Sequence, residues 1–279
     1  MDEVANPPTG DQPAPPRSTT VLGVRVDLVA PPEALARIAA WLGAPADPTG
    51  RPARQVVTLN PEMVMAARAD PAFRAVIAAA DLVLPDGVGV VWAARRRGAG
   101  ITRRVTGIDT LLALAGLAAE RGWRVFLLGA APGVAAAAAG ALRRRWPALA
   151  IAGAHAGGAG PAEDAATCAL VRASGADLLF VAYGAPAQEL WLARNRAALG
   201  VAVGMGVGGA PDVLAGRVPR APAWLRRLGL EWAWRLAREP WRWRRMLALP
   251  RFAALVLAAG RRPEGTSPPD SLSPRGEEE

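Results

Sequence analysis

The sequence predicts an α/β fold, a mainly parallel sheet with helices on both faces, followed by a helical appendage. Short apolar runs alternate with helical patterns of ten to fifteen residues between residues 21 and 205, the rhythm of strands joined by crossover helices. Several of the runs stop at Gly, Pro, Asn or Asp just where a helical pattern begins. After Val218 the strand signal ends, and the stretch to residue 260 holds five of the ten tryptophans.

Taken in order, residues 1–18 are rich in Pro, Asp and Thr and read as a disordered leader. Residues 21–29 read as one strand and 32–42 as a helix. A Pro/Gly-rich loop, 43–52, leads to a strand at 55–59, two helical pieces at 62–69 and 71–80, and a strand from Leu82. That strand stops at Pro85-Asp86-Gly87, where glycine eases the turn, and a helical pattern follows through 88–97. Helices at 108–121, 132–145, 162–173 and 186–199 each feed a strand, at 124–128, 149–151, 177–181 and 201–205. The α/β body therefore spans 19–217 and the appendage 218–260, with a second disordered segment at 261–279. Pro240 removes a helical hydrogen bond, so the appendage is expected to form two or three short helices.

Composition narrows the function. The 279 residues carry a net charge of +9, and all 33 basic residues are arginine. Between Arg217 and Arg251 ten arginines face two acids, so this segment alone holds +8. A basic patch at one end implies an anionic partner: membrane, nucleic acid or phosphorylated substrate. One cysteine and one histidine exclude an intrachain disulfide and clustered-His or cysteine zinc sites, and fit a reducing cytoplasm. The N-terminus lacks the charged-then-apolar pattern of a secretion signal. The longest apolar stretch, 246–259, is interrupted by Pro250 and Arg251 and is too short to span a bilayer.

Chemistry in an open parallel sheet sits at the carboxyl ends of the strands, which is where Asp86 falls. It is either a catalytic carboxylate or a helix cap. Thr58 and Asn60 end another strand, with Asn60-Pro61 also suited to capping the next helix. Gly129 and Gly133 bracket a strand-to-helix turn that offers free N–H groups to phosphate, without the full dinucleotide fingerprint. The run from Gly204 to Gly209, which includes Gly206 and Gly208, means close backbone approach by another segment or by a ligand. Gln188 and Glu189 lie in a first helical turn, where the helix dipole alone favours an acid. Arg104 suits a bidentate phosphate contact or a plain surface position. Arg235, Arg238, Arg242 and Arg245 would share one face if helical turns continue past Pro240. Interleaved with Trp, they read as a segment lying in an anionic membrane interface, as a single-strand nucleic-acid surface, or as a solvated helical face. The single His155 lies in a glycine-rich loop and reads as structural.

Together these stretches resemble the WecG/TagA/CpsF glycosyltransferases of bacterial surface-polysaccharide synthesis. The matching pieces are TLNPEM (58–63), ADLVLPDGVGVV (80–91), RVTGID (104–109), VFLLGAAPG (125–133), GAPAQELW (184–191), VGMGVGGAPDVLAGRVPRAP (203–222) and GLEWAWRLAREPWRWRR (229–245). The resemblance implies a Rossmann-like body and inverting, metal-independent transfer without a cofactor. It implies transfer of an N-acetylmannosamine-type sugar from a UDP-sugar to polyprenyl-diphosphate-linked N-acetylglucosamine. It makes Asp86 the general base, lines the pocket with Thr58, Asn60, Arg104 and Gln188, and gives Arg235, Arg242 and Arg245 to the acceptor's or donor's diphosphate. The glycine turns at Gly129, Gly133, Gly206 and Gly208 would hold the nucleotide. The appendage would bind the inner face of the cytoplasmic membrane, over its own active site or a neighbour's. This chain departs from the family at Ala187 (commonly Lys), at Pro211 (commonly aromatic) and in the loop His155-Ala-Gly-Gly, which lacks aromatics. The alternatives are a nucleotide-dependent oxidoreductase, which the absent fingerprint disfavours, and a nucleic-acid binder using the basic segment.

Overall fold

The computed structural model describes residues 14–44, 52–101 and 103–260. The first thirteen residues of the leader, most of the 43–52 loop and the segment 261–279 lie outside the described residues.

The first strand of the sequence reading is instead a hairpin. β1 (Ser18–Val21) and β2 (Val24–Asp27) pair antiparallel, joined by Leu22 and Gly23, both at positive φ. Such a two-residue turn suits the strand twist. Leu28 N–H donates to the Arg17 carbonyl at 2.7 Å, extending the pair by one rung on the N-terminal side. α1 (Pro31–Gly43) then crosses to β3 (Arg54–Leu59). α2 (Pro61–Ala69) and α3 (Pro71–Ala79) start on side-chain caps from Asn60 and Asp70 and lead to β4 (Leu82–Pro85). α4 (Val88–Arg96), α5 (Gly107–Arg121), β5 (Arg124–Gly129), α6 (Val134–Arg145) and β6 (Ala150–His155) follow. α7 (Asp164–Ala173), β7 (Leu178–Ala182), α8 (Ala187–Asn195), β8 (Val203–Gly206) and α9 (Ala210–Leu214) complete the α/β body. β6 is twice the expected length, and α6 starts two residues late because Gly133 turns the chain with φ 79.

Six strands form one sheet in the order β4-β3-β8-β7-β5-β6, every neighbouring pair parallel. All six carboxyl ends therefore lie along one edge. Successive residues of a strand face opposite sides. Val56, Leu82 and Leu84 pack with Ile38 of α1, Leu111 and Leu114 of α5 and Ala138 of α6. On the other face, Val57, Leu59 and Val83 meet Met63 and Val64 of α2 and Phe73 and Ile77 of α3, while Trp191 of α8 sits with Leu179 and Val181. The hairpin closes the β4 edge: the buried Asp27 carboxylate accepts the Val83 N–H at 2.8 Å and is gripped by Arg25. That removes a free edge from a sheet otherwise open there.

The appendage holds four α-helices rather than two or three. α10 (Ala223–Arg227) and α11 (Glu231–Arg238) precede a 3-10 turn at Pro240–Arg242, then α12 (Trp243–Met246) and α13 (Ala248–Ala258). Glu239 is non-helical, with φ -126 and ψ 69, so helical turns do not run on through Pro240 and the shared arginine face does not form. Pro250 does not interrupt α13, because it falls in the first turn, where no N–H donor is needed. Phe252 and Val256 of α13 are buried with α2 and α4 in the body's core. Among the described residues no helix is long and apolar enough to cross a membrane.

Candidate active site

Asp86 stands one residue past β4, at the shared carboxyl edge. Its N–H donates to the Leu59 carbonyl at 2.8 Å, so the chain is tied to the end of β3 before Gly87, at φ 89, turns it into α4. One carboxylate oxygen, Oδ2, accepts the Gly107 N–H at 3.2 Å. Burial pushes the Asp86 carboxyl up from 3.8 to about 6, against the pull of the Gly107 N–H and the positive charge of Arg104. Asp86 makes no side-chain cap on α4, whose N-cap is Gly87; the amide it accepts is the first of α5. A half-buried carboxylate that titrates near neutrality and faces an arginine is equipped to take up and release a proton.

Thr58, one residue before the end of the adjacent β3, donates from Oγ1 to the Gly206 carbonyl at 3.1 Å. Its methyl lies where a Cβ on Gly107 would meet it at 3.4 Å. Thr58 thus braces both the glycine turn after β8 and the N–H that holds Asp86. Asn60 accepts the Met63 N–H through Oδ1 at 3.0 Å and caps α2, leaving its amide nitrogen for other contacts.

Gln188 is buried and spoken for at both ends. Its Oε1 accepts the N–H groups of Gly184 and Gly208, each at 3.1 Å, and its Nε2 donates to Glu189 Oε1 at 2.7 Å. The close approach implied by the glycine run is therefore made in part by protein: a Cβ on Gly206 would fall 2.6 Å from Gln188 Nε2 and 2.7 Å from Glu189 Oε1. Gly129 is likewise required by the end of β7, since a Cβ there would fall 2.8 Å from the Ala182 carbonyl carbon. Gly133 and Gly208 differ. Both have positive φ with no atom within 4 Å of a built Cβ, so the backbone at these two turns borders open space.

The appendage reaches the site at two points. Arg104 donates to the Arg226 carbonyl at 2.8 Å and pairs with Glu231 at 3.3 Å, so α10 and α11 hold the arginine that acts on Asp86. The Arg235 guanidinium lies directly on Gly209, where a Cβ would collide with its Nη2. Arg245 instead pairs with Glu62 of α2 at 2.9 Å, and the Arg242 side chain lies outside the described residues. His155 ends β6 on the far side of the sheet order from Asp86. Among the described residues no three His, Cys, Asp or Glu side chains gather as a metal site.

Sequence reasoning passed over two acids. Glu189 is fully buried, its Oε2 has no hydrogen-bond partner among the described residues, and burial raises its carboxyl from 4.5 to about 7. The helix dipole explained an acid in that turn too readily; the adjacent Gln and the glycine run were the signal. Glu231 registered in the sequence as one of two acids in a basic run, not as the partner of Arg104.

Comparison with known proteins bears on this arrangement. Residues 19–265 match the family model described as glycosyl transferase WecG/TagA/CpsF family. A protein of Bacillus spizizenii named N-acetylglucosaminyldiphosphoundecaprenol N-acetyl-beta-D-mannosaminyltransferase is 39% identical over 202 residues, covering 72% of this chain and 78% of its own. Its namesake in Bacillus subtilis strain 168 is 38% identical over 204 residues, covering 72% and 78%.

Proposed function

The chain belongs to the WecG/TagA/CpsF family of glycosyltransferases, and from that premise we propose that it transfers an N-acetylmannosamine-type sugar from a UDP-sugar to polyprenyl-diphosphate-linked N-acetylglucosamine. Both Bacillus relatives carry an N-acetylmannosaminyltransferase name with such an acceptor. Family membership leaves the oxidoreductase and nucleic-acid alternatives without support.

The observation that carries the reading is the placement of Asp86. In the proposed step the Asp86 carboxylate takes the proton of the acceptor hydroxyl as its oxygen bonds to the anomeric carbon. The bond from that carbon to the UDP oxygen breaks, its electron pair leaves with UDP, and the configuration inverts. A base whose carboxyl titrates at about 6 is ionised at pH 7 and still accepts a proton readily. Negative charge growing on the departing diphosphate would meet Arg235, on Gly209, and the open turn at Gly133, the Gly208 N–H being already donated to Gln188. Backbone N–H groups and arginine can carry that charge without a metal or other cofactor.

The membrane reading rests on surface chemistry. Trp224, Trp241, Trp243, Leu228 and Leu247 are all more than half exposed, in the segment that also carries the arginine excess. Apolar side chains among cations suit a peripheral site on an anionic leaflet, here the inner face of the cytoplasmic membrane. The test of the mechanism is Asp86→Asn, expected to lower turnover by about 100-fold to 10,000-fold while the protein stays folded by circular dichroism. Full activity in that variant removes Asp86 as the base.

A further inference from the structure

A cavity of about 1170 Å3 opens beside Arg104, between the start of α1, one face of α4 and α10. It is not built around Asp86 or Gln188. One wall is apolar, formed by Leu35, Val91, Trp92 and Ala113. The rim is cationic: Arg103, Arg226 and Arg227 stand there with Arg95 and Arg104, against the single acid Asp109, which Arg220 already engages. Hydrocarbon on one side and arginine on the other fit an amphiphile whose anionic head is joined to a chain. A nucleotide or a free sugar would leave the apolar wall unused.

The mouth of this cavity joins exposed apolar surface. The α-carbon of Gly229 sits so close to Val88 that a Cβ would meet Val88 Cγ1 at 2.3 Å. That contact sets the end of α10, with exposed Trp224 and the following Leu228, beside exposed Val88 and Trp92 of α4. A hydrocarbon chain leaving the cavity on this side would run over exposed apolar side chains.

We propose that this cavity is the acceptor's lipid subsite, with the first isoprene units against Leu35, Val91, Trp92 and Ala113 and the diphosphate between Arg103, Arg226 and Arg227. The inference rests on the acceptor class proposed above. It divides the arginines: Arg235, on the glycine turn, serves the donor's diphosphate, and the cavity rim serves the acceptor's. Arg104 borders the cavity and also acts on Asp86, so a sugar on the lipid's diphosphate emerges towards the base.

The experiment is calorimetric titration of the full chain with farnesyl diphosphate and, separately, inorganic diphosphate. Farnesyl diphosphate is expected to bind at least tenfold more tightly. Ala113→Trp fills the apolar wall from an exposed helix position, and Trp92→Ala strips it; each is expected to cut that preference about tenfold. Arg227→Gln is expected to weaken both ligands, and Leu170→Trp, at an exposed position outside the cavity, to change neither. Equal affinity for the two ligands, or a preference untouched by both wall variants, overturns the subsite. UDP release by a protein that shows no farnesyl preference leaves the transferase reading standing and the subsite refuted. A farnesyl preference that the wall variants abolish, in a protein that releases no UDP from any UDP-sugar offered with the lipid acceptor, supports the subsite and refutes the transferase reading.

Discussion

Replacing Asp86 by Asn is expected to stabilise the protein at the pH where it abolishes turnover. Asp86 is held in a partly buried position where its carboxyl titrates at about 6 instead of 3.8. The native state therefore binds this proton more tightly than the unfolded chain does. The carboxyl favours folding below pH 4, and stability falls as the pH rises from about 4 through about 6. Above that the cost is complete and flat. A displacement from 3.8 to about 6 corresponds to at most about 3 kcal/mol, and the part of Asp86 that faces solvent reduces this to about 2 kcal/mol. Asn has nearly the same shape and keeps an oxygen for the Gly107 N–H. Urea unfolding of both proteins at pH 8, 6 and 4 measures the difference. The expected result is a gap of about 2 kcal/mol in favour of Asn at pH 8, shrinking to near zero at pH 4. A variant less stable than the parent at pH 8, or a gap that does not depend on pH, would refute the idea that Asp86 is a carboxylate held against its desolvation.

Four further outcomes follow from the same geometry. The kcat/KM of the parent should rise with pH, about tenfold per pH unit below 6, and level off above it, as the Asp86 base ionises; a pH-rate profile checks this. Glu231 raises the Asp86 carboxyl, so Glu231→Gln should move that acid limb to lower pH, with a stability change under about 1 kcal/mol because the Arg104 pair is partly exposed. Gly206→Ala places a methyl against the buried Gln188 and Glu189 side chains and should cost about 1–3 kcal/mol in urea unfolding, with weaker UDP binding by calorimetry. The product formed from an α-linked UDP-sugar should carry a β linkage by proton NMR; an α product would exclude a single inverting displacement.

Where the candidate site was legible in the sequence, it was because its residues stand at strand ends. Leu82 to Leu84 stopping at Pro85-Asp86-Gly87 placed Asp86 at the carboxyl edge, and Thr58 followed from the next strand in the same way. The hairpin was not legible: Leu22-Gly23 is not a strong turn pair, and the apolar residues around it read through as one strand. β6 looked short because it is an edge strand none of whose residues is buried, so its apolar signal is weak. Glycine runs announced close approach but not what approaches, and Gly206 proved to receive Gln188 and Glu189 while Gly208 stays open. The arginine face failed because helical spacing assumes a helix, and Glu239-Pro240 ends one. The junction of α13 with the core rests on Phe252 and Val256, two residues whose partners lie about 160 to 190 residues earlier, a distance no local pattern spans.

The measurement that bears most directly on the central claim is UDP release by the purified protein given UDP-N-acetylmannosamine and a short-chain lipid-diphosphate N-acetylglucosamine, with parallel reactions lacking the acceptor or containing EDTA. Acceptor-dependent turnover that survives EDTA and is lost in Asp86→Asn is the result expected. Turnover that proceeds equally without acceptor, stops in EDTA, or persists in Asp86→Asn would contradict metal-independent transfer with Asp86 as base.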